Sequence, residues 1–120
     1  MNAAPSVDLT DSLYRETLLY MRIQLKSDSL MQTSIKTIHA ILSNIVLHPT
    51  EEKFRKLRLA NNKIKTNITD IKEARFLLEM LCFEEKNLPL PSSVDTVEPY
   101  LVLNIHRCDF RDIKHLIQIL

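Results

Sequence analysis

The sequence predicts an α+β fold, mainly helical, with its strand content near the C-terminus. Three observations carry that expectation. Apolar residues recur at spacings of three and four over several separate segments, the period of helices with one buried face. Residues 100–105, YLVLNI, are apolar and partly β-branched, which suits a strand. A chain of 120 residues with 45% apolar composition can bury one core and little more. One compact domain is therefore expected over residues 11–120, after a flexible lead at residues 1–10 that holds Pro5 and small polar side chains.

In order along the chain, the first helix is expected over residues 11–26, with Thr10 and Asp11 as cap candidates and Leu13, Leu18, Met21 and Leu25 as its apolar stripe. The cluster Ser27-Asp28-Ser29 breaks it. A second helix over residues 30–47 carries Met31, Ile35, Ile38, Leu42 and Ile45 and stops before Pro49, which cannot continue a helix. Thr50 can cap a third, and Glu51 and Glu52 favour its positive end, so a basic helix is expected over residues 51–62. Leu57, Ala60 and Ile64 would form its core stripe. Phe54, Arg58 and Asn61 would fall on a second row about 100° away, with Lys53 beside them.

Asp70 and Glu73 form a capping pair for a fourth helix with the stripe Ile71, Ala74, Leu78 and Leu81, ending near Cys82. Residues 86–93 carry Pro89 and Pro91 and read as a surface loop. Pro99 confines the following strand to its start or to a sheet edge. Asp109 caps a last helix lined by Phe110, Ile113, Ile117 and Leu120. Its apolar end predicts continuation into a longer protein.

Charge is local. The net charge is +1, yet residues 51–65 hold six basic and two acidic side chains, leaving about −3 for the remainder. Such a patch in a near-neutral domain suits an acidic peptide better than a long polyanion. The absence of glycine removes phosphate-cradling loops, dinucleotide fingerprints and nucleophile elbows. Cys82 and Cys108 make neither a zinc framework nor a disulfide scaffold. No secretory leader is evident, and no run approaches the roughly 20 apolar residues that span a bilayer. A soluble cytoplasmic protein without a cofactor is expected.

His106, Cys108, Asp109 and His115 offer metal-ligand types, but their spacing matches no closed site and Asp109 serves better as a cap. Asn67-Ile68-Thr69 has the form of a glycosylation acceptor and reads as a loop leading to a cap. Phe54 is open to a core role, and Asn61 to a capping role at a helix C-terminus.

The order of residues in the centre of the chain resembles the PUB domain, also called PUG, the module shared by peptide N-glycanase, some UBX-domain proteins and a linear-ubiquitin ligase. The family pattern appears as Asn44-Ile45-Val46, His48-Pro49, Glu52-Lys53-Phe54-Arg55, Leu57-Arg58-Leu59, Asn61 and Leu81-Cys82-Phe83-Glu84-Glu85, best over residues 27–85. Two departures stand out: Phe54 replaces the usual Tyr, and Cys82 the usual Gly. If that Gly position needs a left-handed backbone, Cys82 costs about 1 kcal/mol there. Residues 86–98 form a longer connection than the family leads one to expect.

The resemblance implies a helical core with a small antiparallel sheet. It also implies a partner, the acidic C-terminal tail of valosin-containing protein, a hexameric AAA-type ATPase that extracts ubiquitinated proteins, as in ER-associated degradation. Asn44, Lys53, Phe54, Arg58 and Asn61 would line the peptide pocket and Phe83 would support its wall. Two other classes compete: a nucleic-acid-binding helical domain using residues 51–65, and a non-catalytic part of an enzyme whose chemistry lies elsewhere in the parent chain.

Overall fold

Five helices and three strands make up the computed structural model, which describes residues 5–120. The expected flexible lead falls outside the described residues for positions 1–4, and from Pro5 onward the chain is helical. Helix α1 spans Pro5–Leu25, beginning earlier than residue 11 because proline is tolerated in a first turn, where its missing N–H would be unpaired in any case. Its buried face is Tyr14 and Met21, with Leu18 and Leu25 packed alongside. Leu13 is 47% exposed, so Tyr14 takes the first place in the stripe while Leu18, Met21 and Leu25 hold theirs.

Helix α2 spans Asp28–Leu47. Ser27 caps it, its hydroxyl accepting from the Leu30 N–H at 3.2 Å. Met31, Ile38, Leu42 and Ile45 are buried, the inner face that their spacing predicts. The same face carries a polar group of three: the Ser34 hydroxyl donates to the Asn67 carbonyl at 2.6 Å, and the Asn67 amide donates to Thr37 Oγ1 at 3.0 Å. Because each group is satisfied, their burial does not leave an orphaned polar atom in the core.

The expected third helix does not form. A 3-10 turn at Glu52–Arg55 leads into the short strand β1 (Lys56–Arg58), then a single turn α3 (Asn62–Ile64) and a π turn (Lys65–Thr69). The reason is visible in Leu57-Arg58-Leu59. These residues alternate apolar and charged as a strand does, Leu57 facing the core, and pairing with the C-terminal strand satisfies their backbone groups. Helix α4 (Lys72–Met80) follows, with Ala74, Leu77 and Leu78 buried and Ile71 and Leu81 buried at its two ends.

Strands β2 (Phe83–Leu90) and β3 (Ser93–Leu103) form an antiparallel hairpin where residues 86–93 had read as a loop. The sheet order is β1-β3-β2, so β3 is central. Pro89 sits on the outer strand, where a missing N–H is tolerated. Pro99 lies just beyond the last β1 pair, Arg58 with Tyr100, and its carbonyl accepts the Leu59 N–H at 3.1 Å. Its missing donor therefore falls where β1 has ended, which is how a proline can occupy a central strand.

Cys82 has φ 75°, the left-handed conformation with which helices commonly terminate. The usual glycine position does demand that backbone here, and a residue with a β-carbon fills it. Helix α5 (Phe110–Ile119) is capped by Asp109, whose carboxylate accepts from the Arg111 N–H at 2.8 Å. Ile113 and Leu116 anchor it in the core, and His115 Nε2 meets Asp11 at 2.8 Å, tying α5 to α1.

Candidate functional site

The end of α2 and the turn after it carry three of the six sequence-predicted side chains, Asn44, Lys53 and Phe54. The His48 N–H donates to the Asn44 carbonyl at 2.9 Å and closes the helix. This places the His48 ring on Phe54, centroid to centroid 4.9 Å with planes 24° apart. The Lys53 ammonium lies 5.1 Å from the Phe54 centroid, within the range where a cation is attracted to an aromatic face, and 3.8 Å from Glu51. Phe54 is half-buried and packs against the core, so it serves as both core member and ring at the surface.

Asn44 lines a cavity of about 350 Å³ between the outer face of α2 and residues Lys63 and Ile64. Lys36 and Ala40 continue that wall toward the start of the helix. The Asn44 amide makes no hydrogen bond among the described residues. Asn61 caps α3: its Oδ1 accepts from the Lys63 N–H at 2.9 Å and the Ile64 N–H at 3.1 Å. The cap is thus on the N-terminal side of a following turn and not at the end of a preceding helix, and it leaves the Asn61 Nδ2 group unengaged.

Arg58 stands apart. It ends β1 and makes a bidentate pair with Glu98 on β3, Nη2 to Oε1 at 2.9 Å and Nε to Oε2. The Glu98 hydrogen bond raises the guanidinium pKa, and Arg58 in turn holds the Glu98 carboxyl below its ordinary range. Arg58 lines a separate cavity of about 310 Å³ with Tyr100 and the Leu90-Pro91-Ser92 hairpin turn. The row of Phe54, Arg58 and Asn61 on one helix face is therefore corrected. Without the helix, the three sit on a 3-10 turn, a strand end and a cap. Phe83 is 2% exposed, a core residue that supports from behind.

His48 is the member that sequence reasoning passed over as a contact residue. Its signal was the proline that follows it, since ending α2 at residue 47 turns the next side chain toward the new segment. The other candidate chemistry separates in space. Asp109 is engaged with the α5 N-terminus and Arg111, His115 pairs with Asp11, and burial pushes the Cys108 thiol up to about 11. Among the described residues, no three His, Cys, Asp or Glu side chains are grouped so as to hold a metal ion. No described helix is long and apolar enough to cross a membrane.

The fold and this surface define a small α+β interaction module, with an aromatic ring, amides and cationic side chains around the end of one helix. The sequence model of the PUB domain matches residues 29–118, and the chain belongs to that family. It is 31% identical over 77 residues to UBX domain-containing protein 6 of Homo sapiens, covering 64% of this chain and 18% of that protein. It is 42% identical over 55 residues to plant UBX domain-containing protein 2 of Arabidopsis thaliana, covering 46% of this chain and 12% of that protein. A Caenorhabditis elegans UBX domain-containing protein 6 is 34% identical over 56 residues, 47% of this chain and 13% of its own length. The chain thus aligns with less than a fifth of these relatives.

Proposed function

We propose that this domain is a cytoplasmic adaptor that binds the acidic, aromatic-bearing C-terminal tail of valosin-containing protein and so links its parent protein to ubiquitin-dependent quality control. Family membership supports the general class. The specific reading rests on one observation above the others, the half-buried Phe54 ring with Lys53 against it and the unengaged Asn44 amide one helical turn before His48. The ring receives the aromatic of the tail, Lys53 meets a carboxylate, and the amides of Asn44 and Asn61 engage the peptide backbone. Arg58 contributes through its Nη1, which the Glu98 pair leaves open, or by exchanging Glu98 for a tail carboxylate. Phe83 holds the wall in place.

Isothermal titration with a synthetic peptide of the ATPase tail, beside the same peptide with its aromatic changed to Ala, tests this reading. Micromolar binding is expected for the first and a loss of roughly 5- to 150-fold for the second, with a similar loss for Phe54→Ala against the native tail. Unchanged binding in Phe54→Ala would remove the ring from the site. Raising salt from about 50 to 200 mM should weaken binding only a few-fold, because few charges are engaged, whereas a protein bridging many phosphates would lose on the order of 1,000-fold. Tight nucleic-acid binding at physiological salt with no peptide binding would replace the adaptor reading with the nucleic-acid one.

A further inference from the structure

Helix α1 precedes the segment that matches the family, and its outward face is apolar. Leu9, Leu13, Tyr20 and Ile23 are all about half exposed or more. With Glu16 they follow one another at spacings of four, three, four and three, the repeat of a helix–helix seam. This seam lies opposite Tyr14 and Met21, which already bury the inner face in the core. Beside it runs a groove of about 560 Å³ between α1 and α4, floored by Leu13, Tyr20 and Phe76. Phe76 is 45% exposed although it is aromatic and sits on a helix whose Ala74, Leu77 and Leu78 are buried.

The rim gives the groove a sign. Glu16 and Glu73 line it with no ion pair among the described residues, while Glu79 is engaged with Arg75. Lys72 offsets only one of the two open carboxylates. A second copy of the chain fits poorly. Glu16 is the central position of the seam, so a symmetric pairing of two α1 helices in either direction sets it against itself.

We propose that the α1–α4 groove docks an amphipathic helix of another protein, one whose apolar stripe has the same four-three spacing and whose flanks carry Lys or Arg opposite Glu16 and Glu73. The apolar stripe covers Leu13, Tyr20 and Phe76, and the basic flanks pair with the two carboxylates. This surface is separate from the Phe54 site, so the chain would hold two partners at once.

The test uses two synthetic helices of about 20 residues with the same leucine stripe, one flanked by Lys and the other by Glu, titrated by fluorescence anisotropy against the whole chain. Saturable binding of the Lys helix is expected, with the Glu helix at least roughly tenfold weaker. Phe76→Asp and Tyr20→Asp should each cost the Lys helix roughly tenfold or more, with circular dichroism melts checking that both variants are folded. Failure of both helices to bind, equal binding of the two, or binding undiminished in folded Phe76→Asp would overturn the proposal. So would a chain that sediments as a dimer and becomes monomeric in Tyr20→Asp, since the groove would then belong to a second copy.

Discussion

Helix α4 and the connection before it, residues 52–69, lie side by side, yet they hold to the core in different ways. Helix α4 inserts Ala74, Leu77 and Leu78, all fully buried, and it carries no residue of the Phe54 site. The connection reaches the core chiefly through Leu57, Asn67 and Ile68. Otherwise it is held by hydrogen bonds: β1 on β3, the Asn61 cap, the π-turn bond from the Asp70 N–H to the Lys65 carbonyl at 2.8 Å, and Asn67 against α2. Four of the six candidate contact residues lie on this shallow connection. The difference separates roles. The deepest packing lies away from the candidate tail-binding residues, which sit where substitution costs the fold less.

That separation can be broken most directly at Leu78. Leu78→Ala should lower unfolding free energy by about 2–5 kcal/mol, since a fully buried side chain leaves a cavity that its neighbours only partly fill. Chemical denaturation measures it. A loss under about 1 kcal/mol would mean that α4 is not the rigid member of the pair.

A smaller effect on stability, and a sharper one on function, is expected at Asn61. Asn61→Ala removes the acceptor for two N–H groups and should cost about 0.5–2 kcal/mol. Asn61→Asp retains the accepting oxygen and loses the amide donors. Denaturation of Asn61→Asp should match wild type while its tail binding falls. If both variants bind the tail as wild type does, Asn61 is a cap alone.

The smallest effect concerns the ion pair at the end of β1. The Arg58 hydrogen bond lowers the Glu98 pKa from its ordinary 4.5. A depressed carboxyl contributes stability that is present above the unfolded value and is lost as pH falls through the lower folded value. The melting temperature of wild type should therefore exceed that of Glu98→Gln at neutral pH by a small margin, and the two should converge as the solution is acidified below 4.5. A gap that persists in strong acid would show that Glu98 acts by packing and not by charge. The margin is small because both partners are near the surface, where solvent screens such pairs.

Much of this architecture could be read from residue order. Helices α2 and α4 follow their apolar stripes, and Ser27, Asp109 and Pro49 behave as their chemistry dictates. The expected cap of α4 by Asp70 and Glu73 does not form, since Asp70 pairs with Lys65, and α5 buries Leu116 beside Ile113 where Ile117 was expected. The connection was misread because two periods overlap in it. Leu57, Ala60 and Ile64 fit a helix, Leu57 and Leu59 fit a strand, and only the presence of β3 decides between them. Ala60 is exposed as a result. The hairpin was hidden by three prolines whose tolerance depends on which side of the sheet lacks a neighbour, a fact of the assembled sheet. In α1 the apolar spacing put Leu13 in the buried stripe, whereas the structure buries Tyr14 there and leaves Leu13 half exposed. The residues proposed for recognition were recognisable from their order in the family pattern, while their actual grouping, and the part of His48 in it, required the turn geometry.

Strand β2 forms one margin of the sheet over eight residues and, among the described residues, pairs only with β3. Unpaired strand margins invite other chains to add themselves, the first step of sheet-mediated aggregation. Along β2, Pro89 withholds a donor, and Glu84, Glu85 and Lys86 place charge on successive positions. The opposite margin, β1, is three residues long and gives an intruding strand little to grip. The proline that disguises this strand in the sequence thus also guards it, keeping a small β-sheet from templating its neighbours when many copies of the domain are crowded together.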